Sequence, residues 1–303
     1  MTRKTFPVYI QANERMTVPA QVAGHSFARW STDEVEIVPH LLYAEKLPAL
    51  AAREGMDWLQ GDVRITYRLD DLCSFMPTRM APPSLMGFEG RCLIIDPDMF
   101  AVRSPIPLLT MDMQDKAIWA APPPEYRDGP YETSLMLVDT SKVRHWVFDE
   151  MLERICAGEM DYGDWERLRY EDPGSVGTLG NEWNCYDAWH EDTRIVHNTN
   201  YLWWPWKRGR DVEYWEHRLW VRTRMKPRNV GRLLVKALRR RFKAPAVYEG
   251  HPNPRIEENF IRLLAEAIDC GRIDRSEVQA SIDRGHVRGD LLEVTDRQSL
   301  AAK

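Results

Sequence analysis

The chain has 303 residues, of which 44% are hydrophobic and 10% aromatic, and this composition is too apolar for a disordered protein. The formal charge is −5. The sequence contains no run of 18 apolar residues, so it predicts no membrane-spanning helix. The five cysteines are widely spaced and include no CxxC pair, which argues against a zinc or redox site of that type. We therefore expect a cytoplasmic protein with reduced thiols.

Short apolar runs alternate with helix-like patterns from Phe6 to about Ile195, which predicts an α/β domain with a largely parallel sheet. The expected strands are Val8–Ile10, Glu36–Pro39, Cys92–Ile95, Ile118–Ala121, Leu135–Val138 and Ile195–His197. A helix over Val18 to Trp30 follows the first strand, as in the opening βαβ unit of a nucleotide-binding sheet. No GxGxxG motif or P-loop follows that strand, which argues against a dinucleotide or P-loop ATP site.

Two acids flank a proline where the predicted strand Cys92–Ile95 ends. Pro97 cannot donate to a sheet, so the strand should stop before it. Asp96 and Asp98 would then lie at the carboxyl end of the strand, where open α/β sheets bind ligands. Adjacent carboxylates repel each other unless a cation lies between them or each finds its own donors. The pair therefore predicts either a Mg²⁺ or Mn²⁺ site or a turn in which both side chains cap backbone amides.

Several motifs follow one another along the chain in a characteristic order. Residues 93–99 contain an apolar run followed by Asp-x-Asp-Met. The others are Arg79 before this run, residues 132–137 after it, the pair Trp183-Asn184, the predicted strand that ends at His197, and Pro205-Trp206. Together they resemble the retaining glycosyltransferases of family 8, over residues 6–207 and in the family's order, which is more specific than any one motif.

The resemblance implies a nucleotide-diphospho-sugar transferase fold of the GT-A type, with a mostly parallel mixed sheet. It implies that Asp96, Asp98 and His197 bind the divalent cation, and an imidazole ligand favours Mn²⁺ over Mg²⁺. The resemblance further implies that Gln11, Ala12 and Asn13 contact the nucleoside. It implies that Arg79 and Asp164 contact the donor sugar and that Lys207 contacts a phosphate. The simpler alternatives are a structural imidazole at His197, a surface ion pair at Arg79, a helix cap at Asp164 and a solvated charge at Lys207.

Three of the family's motifs are altered in this chain. Its Asn-x-Gly is Glu132-x-Ser134, its Asp-Gln-Asp is at best residues 164–166, and its lysine before Pro-Trp is Trp204, so that Lys207 or Arg208 would have to replace it. The expected function is metal-dependent transfer of a hexose, with retained configuration, from a UDP-sugar to a glycan or lipid-linked acceptor. The alternatives are a nucleotidyltransferase and a degenerate transferase that binds a nucleotide-sugar or a membrane without turnover.

A change in composition divides the chain into a predicted transferase domain, residues 1–225, and a basic helical extension, residues 226–303. Residues 226–243 contain eight Lys or Arg and no acid. Apolar side chains at helical spacing predict an amphipathic helix over 228–243. This helix would either lie on an anionic membrane surface, at the inner face, or pack on the core. A nucleic-acid partner is not expected, since the basic run is short and the remainder is acidic.

Two more helices are expected in the extension. The first covers Ile256 to Ile268, where apolar residues recur at helical spacing. The second begins at Ser276-x-x-Gln279, which resembles a capping box, and ends near Gly285.

Overall fold

The structure of the protein is a computed structural model that describes residues 3–61, 63–124, 129–213 and 247–301. The strands are β1 (Lys4–Ala12), β2 (Val35–Tyr43), β3 (Asp57–Gln60), β4 (Val63–Thr66), β5 (Arg91–Ile95), β6 (Met99–Ala101), β7 (Ile118–Ala121), β8 (Glu132–Asp139), β9 (Val176–Thr178), β10 (Cys185–Tyr186) and β11 (Ile195–His197). The described α-helices are α1 (Thr17–Ala28), α2 (Pro48–Ala51), α3 (Pro82–Leu85), α4 (Ile106–Leu109), α5 (Phe148–Ala157), α6 (Tyr162–Trp165), α7 (Pro254–Asp269), α8 (Arg275–Asp283) and α9 (Leu291–Ala301).

The main sheet has six strands in the order β2-β1-β5-β8-β7-β9. β1 runs parallel to β2 and β5, and β7 runs parallel to β9, whereas β8 is antiparallel to both of its neighbours. This confirms the predicted α/β fold with a mostly parallel mixed sheet. All six predicted strands are present, although the last of them, β11, lies in a separate three-stranded sheet between β10 and β6.

Side chains of the central strand β5 alternate between two hydrophobic clusters, one on each face of the sheet. Leu93 and Ile95 belong to the cluster that also contains α1 and the C-terminal helices. Cys92 and Ile94 belong to the cluster on the other face, together with α5. A strand that is buried on both faces has a continuous apolar sequence. This is why the segment could be predicted as a strand.

Helix α1 follows the loop at the carboxyl end of β1. The Asn13 side chain accepts a hydrogen bond from the Met16 backbone N–H at 3.0 Å and so caps the turn that leads into the helix. Gly24 lets α1 approach the sheet closely, because a Cβ at this position would lie 3.1 Å from Pro39 Cβ and 3.3 Å from Ile10 Cδ1. The predicted βαβ unit is confirmed, and it places residues 11–13 at the carboxyl edge of the sheet.

The C-terminal helices pack on α1 and share its hydrophobic cluster through Phe260 and Leu264 of α7 and Val278 of α8. Both predicted helices are present, but the predicted capping box is wrong. Asp274 caps α8 by accepting from the Ser276 N–H at 2.8 Å, because a carboxylate at that position reaches the first free amides of the helix. The predicted basic helix over 228–243 lies outside the described residues. No described helix is both long and apolar enough to span a membrane.

Candidate active site

Three short elements bring the predicted metal ligands together. β5 ends at Ile95, before Asp96-Pro97, as the proline predicts. The chain turns at residues 96–98 and continues into β6. β11 pairs antiparallel with β6, and the register places His197 opposite Met99, the residue after Asp98. This strand pairing places the imidazole of His197 next to the carboxylate pair, although His197 lies nearly a hundred residues further along the chain.

The side chains of Asp96, Asp98 and His197 converge. One ligand atom of each lies within 4.8 Å of the others, and they form the only such group of three among the described residues. His197 Nε2 is 3.3 Å from Asp98 Oδ1. Asp98 is 7% exposed and His197 4%, so water screens their charges poorly. Two carboxylate oxygens and one imidazole nitrogen are a ligand set that could hold a divalent cation.

Arg79 lies inside the protein next to this group, and not at the surface. It is 2% exposed and belongs to the 3-10 turn Met76–Met80. Its guanidinium donates to Asp96 Oδ1 at 3.0 Å and to Thr133 Oγ1 at 2.9 Å. It also lies 3.6 Å from the carboxylate of Glu166. The alternative of a surface ion pair is therefore wrong for Arg79, because its acidic partner is one of the candidate metal ligands.

Neighbouring charges and burial shift the pKa values of Asp96 and His197. Burial raises the pKa of Asp96 to about 6; the neighbouring charge of Asp98 also raises it, and Arg79 acts in the opposite direction. Burial alone would lower the pKa of His197, but its contact with Asp98 and the charge of Asp96 raise it above the usual value. The site thus concentrates negative charge in a poorly hydrated place, which favours a bound cation.

Asn184 orients the imidazole. Its side-chain carbonyl accepts from His197 Nδ1 at 2.8 Å, while its amide donates to Ser134 Oγ at 3.1 Å and to the Tyr186 hydroxyl at 3.0 Å. These donations fix the direction of the amide, so His197 Nδ1 carries a proton and Nε2 faces Asp98, where it would lose any proton on binding a metal ion. Asn184 of the motif Trp183-Asn184 therefore accepts from the ring nitrogen opposite Nε2, as the hydrogen-bond partner of a metal-binding histidine would.

Replacing Asn184 with leucine is expected to weaken Mn²⁺ binding about 10- to 100-fold, because the imidazole loses the acceptor that fixes its tautomer and orientation. Calorimetric titration with Mn²⁺ measures this loss. Tyr186→Phe is the matched control, since it removes one partner of Asn184 but leaves the hydrogen bond to His197. Equal affinities in wild type and Asn184→Leu would contradict the positioning role.

His197→Ala is expected to weaken Mn²⁺ binding more than Mg²⁺ binding, because imidazole nitrogen suits the softer ion. Titrations with both ions, in the presence of a nucleoside diphosphate, give the two ratios to wild type. If both ions lose the same factor, His197 has a structural role in place of a ligand role.

The residues predicted to receive the nucleoside lie beside the acidic pair. Gln11, Ala12 and Asn13 end β1 and begin the next loop, and all three are buried. The Gln11 amide donates to Asp96 and accepts from Arg79 Nε at 3.3 Å. Asn13 donates to Ser74 Oγ at 3.0 Å and to the carbonyl of Leu72. Their role toward a nucleoside stays a prediction, and the structure shows that the loop is tied to residues 72–79.

Asp164 lies apart from the cluster that the other predicted site residues form. Its side chain is 41% exposed and pairs with Arg169 at 2.6 Å. It is not the predicted helix cap either, because Asp161 accepts from the Gly163 and Asp164 amides at the start of α6. Glu166, two residues further on, points to Arg79 instead. Glu166 was missed because the altered motif offered two acids and local spacing cannot tell which one faces inward.

Lys207 is completely buried, so the alternative of a solvated surface charge is wrong for this residue. Its ammonium donates to Glu213 at 2.8 Å and lies 5.7 Å from the ring centre of Tyr248. Burial lowers its pKa below the usual value, although Glu213 opposes that shift. The predicted contact with a phosphate stays a prediction, and it would require Lys207 to exchange Glu213 for the ligand.

No protein-family model and no curated protein matches the chain. Several solved structures do. The galactosyltransferase LgtC, solved in complex with donor and acceptor sugar analogues, is 18% identical, with a TM-score of 0.47, over 76% of this chain and 96% of its own. The glycosyltransferase GlyE of Streptococcus pneumoniae is 14% identical, with a TM-score of 0.48, over 78% of this chain and 64% of its own.

A third match is mouse xyloside xylosyltransferase 1, which is 14% identical, with a TM-score of 0.44, over 65% of this chain and 98% of its own. All three proteins are named as glycosyltransferases.

Proposed function

We propose that the protein is a metal-dependent glycosyltransferase of GT-A type that transfers a hexose from a UDP-sugar to a glycan or lipid-linked acceptor and retains the anomeric configuration. The observation that carries this proposal is the convergence of Asp96, Asp98 and His197 at the carboxyl end of β5. Carboxyl ends of strands are where sheets of this kind bind nucleotides. Asp96, Asp98 and His197 would hold the cation, and Mn²⁺ fits this set better than Mg²⁺.

The departing nucleoside diphosphate carries a developing negative charge, and a divalent cation held in this site would stabilise that charge without a proton transfer. Arg79 keeps its positive charge because Asp96 and other acids around it raise the pKa of the guanidinium, although burial opposes this. The fixed guanidinium charge beside Asp96 helps to keep the two carboxylates ionised, so that they can bind a metal ion. Arg79 thereby prepares the site in addition to any contact with the donor sugar.

The altered motifs place carboxylates around Arg79. Glu166 contacts it directly, and the charge of Glu132, at the start of β8, also acts on both Arg79 and Asp96. A sugar that loses its diphosphate acquires oxocarbenium character, and a carboxylate beside it would stabilise that positive charge. We propose this role for the two acids in place of the family's altered motifs.

Incubation with a panel of nucleotide-sugars and Mn²⁺ tests the proposal. Slow release of free sugar and nucleoside diphosphate is expected, since water replaces the absent acceptor. Release of pyrophosphate would support nucleotidyl transfer instead. Retained donor binding without any release would support the degenerate alternative. An Asp98→Asn control must show no release, so that contaminating hydrolases are excluded.

The basic segment 228–243, which the structure does not describe, is proposed to bring the site to an anionic membrane surface. Eight Lys or Arg lie in residues 226–243, and each is worth about 1 kcal/mol near an anionic leaflet. Reversing Arg239, Arg240 and Arg241 to glutamate is expected to abolish sedimentation with anionic vesicles but to spare activity on a soluble acceptor analogue. A wild-type protein that ignores such vesicles at low salt contradicts this part of the proposal.

A further inference from the structure

Four arginines line an open cleft at the end of the described C-terminal region. The cleft has a volume of about 520 Å³ and is lined by residues 208–210 and 288–290 together with Val294 and Arg297. Its guanidinium groups belong to Arg208, Arg210, Arg288 and Arg297. None of these belongs to the Asp96–Asp98–His197 group, and only Arg208 is a candidate for sugar transfer, as an alternative to Lys207 for a phosphate contact.

Carboxylates compensate three of these four arginines. Arg208 and Arg288 share Glu257, at 2.9 and 3.1 Å, and Arg288 also pairs with Asp290 through two bonds of 2.6 and 2.8 Å. Arg297 pairs with Glu293 on the same helix. Three acids therefore face four guanidinium groups, and one positive charge remains.

That remaining charge is on Arg210. Among the described residues it pairs with no acid, and its guanidinium donates only to the Val287 carbonyl, at 3.1 Å. Its Nε is buried and has no hydrogen-bond partner in the described part of the chain. A partly buried guanidinium without a counter-charge is costly, and an anion in the cleft would supply the missing negative charge.

Two glycines allow the arginines to take up these positions. A Cβ on Gly285 would lie 2.9 Å from Arg210 Nη2, and a Cβ on Gly250 would lie 3.2 Å from Arg208 Cζ. The two guanidinium groups thus lie against bare backbone at the wall of the cleft. This packing restricts the planar fork of Arg210 in particular, which suits an anion with several oxygens in fixed directions.

We propose that this arginine cleft binds a phosphoryl group, as a phosphate monoester or a phosphodiester headgroup. Its oxygens would accept from Arg210 and from the free donors of Arg208 and Arg297, while Asp290 and Glu257 hold Arg288 behind them. The site has room for an organic group attached to the phosphate. The ligand is therefore either a soluble phosphorylated compound or the headgroup of an anionic lipid, and both offer the same chemistry to the cleft.

The test is a titration of the full chain with inorganic phosphate and with glycerol phosphate, at constant ionic strength and with EDTA present so that no metal site contributes. Saturable binding in the millimolar range is expected for wild type. Arg210→Gln is expected to weaken it at least about tenfold, since it loses a charge-assisted hydrogen bond. Arg208→Gln should also weaken phosphate binding, and because the Arg208 side chain is exposed, this variant is expected to fold. Arg3→Gln, an exposed arginine paired with Glu36, is the matched control and should bind as wild type.

Vesicles of phosphatidylcholine with and without phosphatidic acid separate the two sources. If soluble phosphate competes with phosphatidic acid vesicles, and Arg210→Gln loses both, the ligand is a lipid headgroup. If soluble phosphate binds but vesicle binding is the same in wild type and Arg210→Gln, the ligand is a soluble phosphate compound. The proposal is overturned if wild type shows no saturable binding of phosphate, or if Arg210→Gln and Arg208→Gln both bind it as tightly as wild type. Sugar transfer can fail or succeed independently of either result.

Discussion

Asp98→Asn is expected to abolish metal-dependent release of nucleoside diphosphate while leaving the fold intact. The substitution keeps the volume of the side chain but removes one of two carboxylate charges from the candidate metal site. In the metal-free protein, loss of the contact between Asp98 and His197 at 3.3 Å opposes the relief of repulsion from Asp96. We therefore expect the metal-free unfolding temperature to stay within about 3 °C of wild type.

Thermal unfolding with and without Mn²⁺ gives the decisive comparison for Asp98→Asn. Binding of a metal to the native state alone stabilises it by about 2.7 kcal/mol at a concentration of 100 times Kd. Wild type should show such a rise and the variant should not. Asp139→Asn is a suitable control, because this acid ends β8 and caps the turn that follows it, outside the site. The same Mn²⁺-dependent rise in Asp98→Asn and wild type would count decisively against a metal role.

Arg79→Met is expected to lower the free energy of unfolding of the metal-free protein by about 3–5 kcal/mol, the usual cost of removing one partner of a buried ion pair. Asp96 would keep its carboxylate next to Asp98 without the guanidinium charge that now faces it, and Thr133 and Gln11 would lose a donor. Denaturant titration measures the loss. Mn²⁺ should restore more stability to this variant than to wild type, because the cation replaces the missing charge.

A double-mutant cycle separates the charge effect at Arg79 from packing. Arg79→Met combined with Asp96→Asn should be more stable than Arg79→Met alone, because the unpaired carboxylate is gone. If Arg79→Met costs less than about 1 kcal/mol, or if Asp96→Asn does not rescue it, Asp96 is not held by this arginine.

The position of Asp96 and Asp98 at the end of β5 could be predicted because the neighbouring sequence determines it. Pro97 stops β5, and the continuous apolar run before it marks a strand buried on both faces. The helix α1 and the strand β1 followed from periodicity in the same way. The order of motifs then selected His197 from eight histidines in the chain, although its own surroundings gave no sign of a ligand.

Contacts that depend on pairing between distant segments were not predictable. The three-residue strands β6 and β11 are too short to show a period, yet their register places His197 beside Asp98. The bond between Arg79 and Asp96 links a 3-10 turn to a strand end, and no local rule specifies it. The burial of Lys207 depends on Glu213 and Tyr248, which approach only in the folded chain.

Calorimetric titration of UDP into the protein, at saturating Mn²⁺ and again in EDTA, tests the central claim most directly. If Asp96, Asp98 and His197 hold a cation that binds the donor diphosphate, UDP binds in Mn²⁺, loses most of its affinity in EDTA, and binds Asp98→Asn weakly in both. Equal affinity of wild type for UDP in Mn²⁺ and in EDTA, unchanged in Asp98→Asn, would contradict the account.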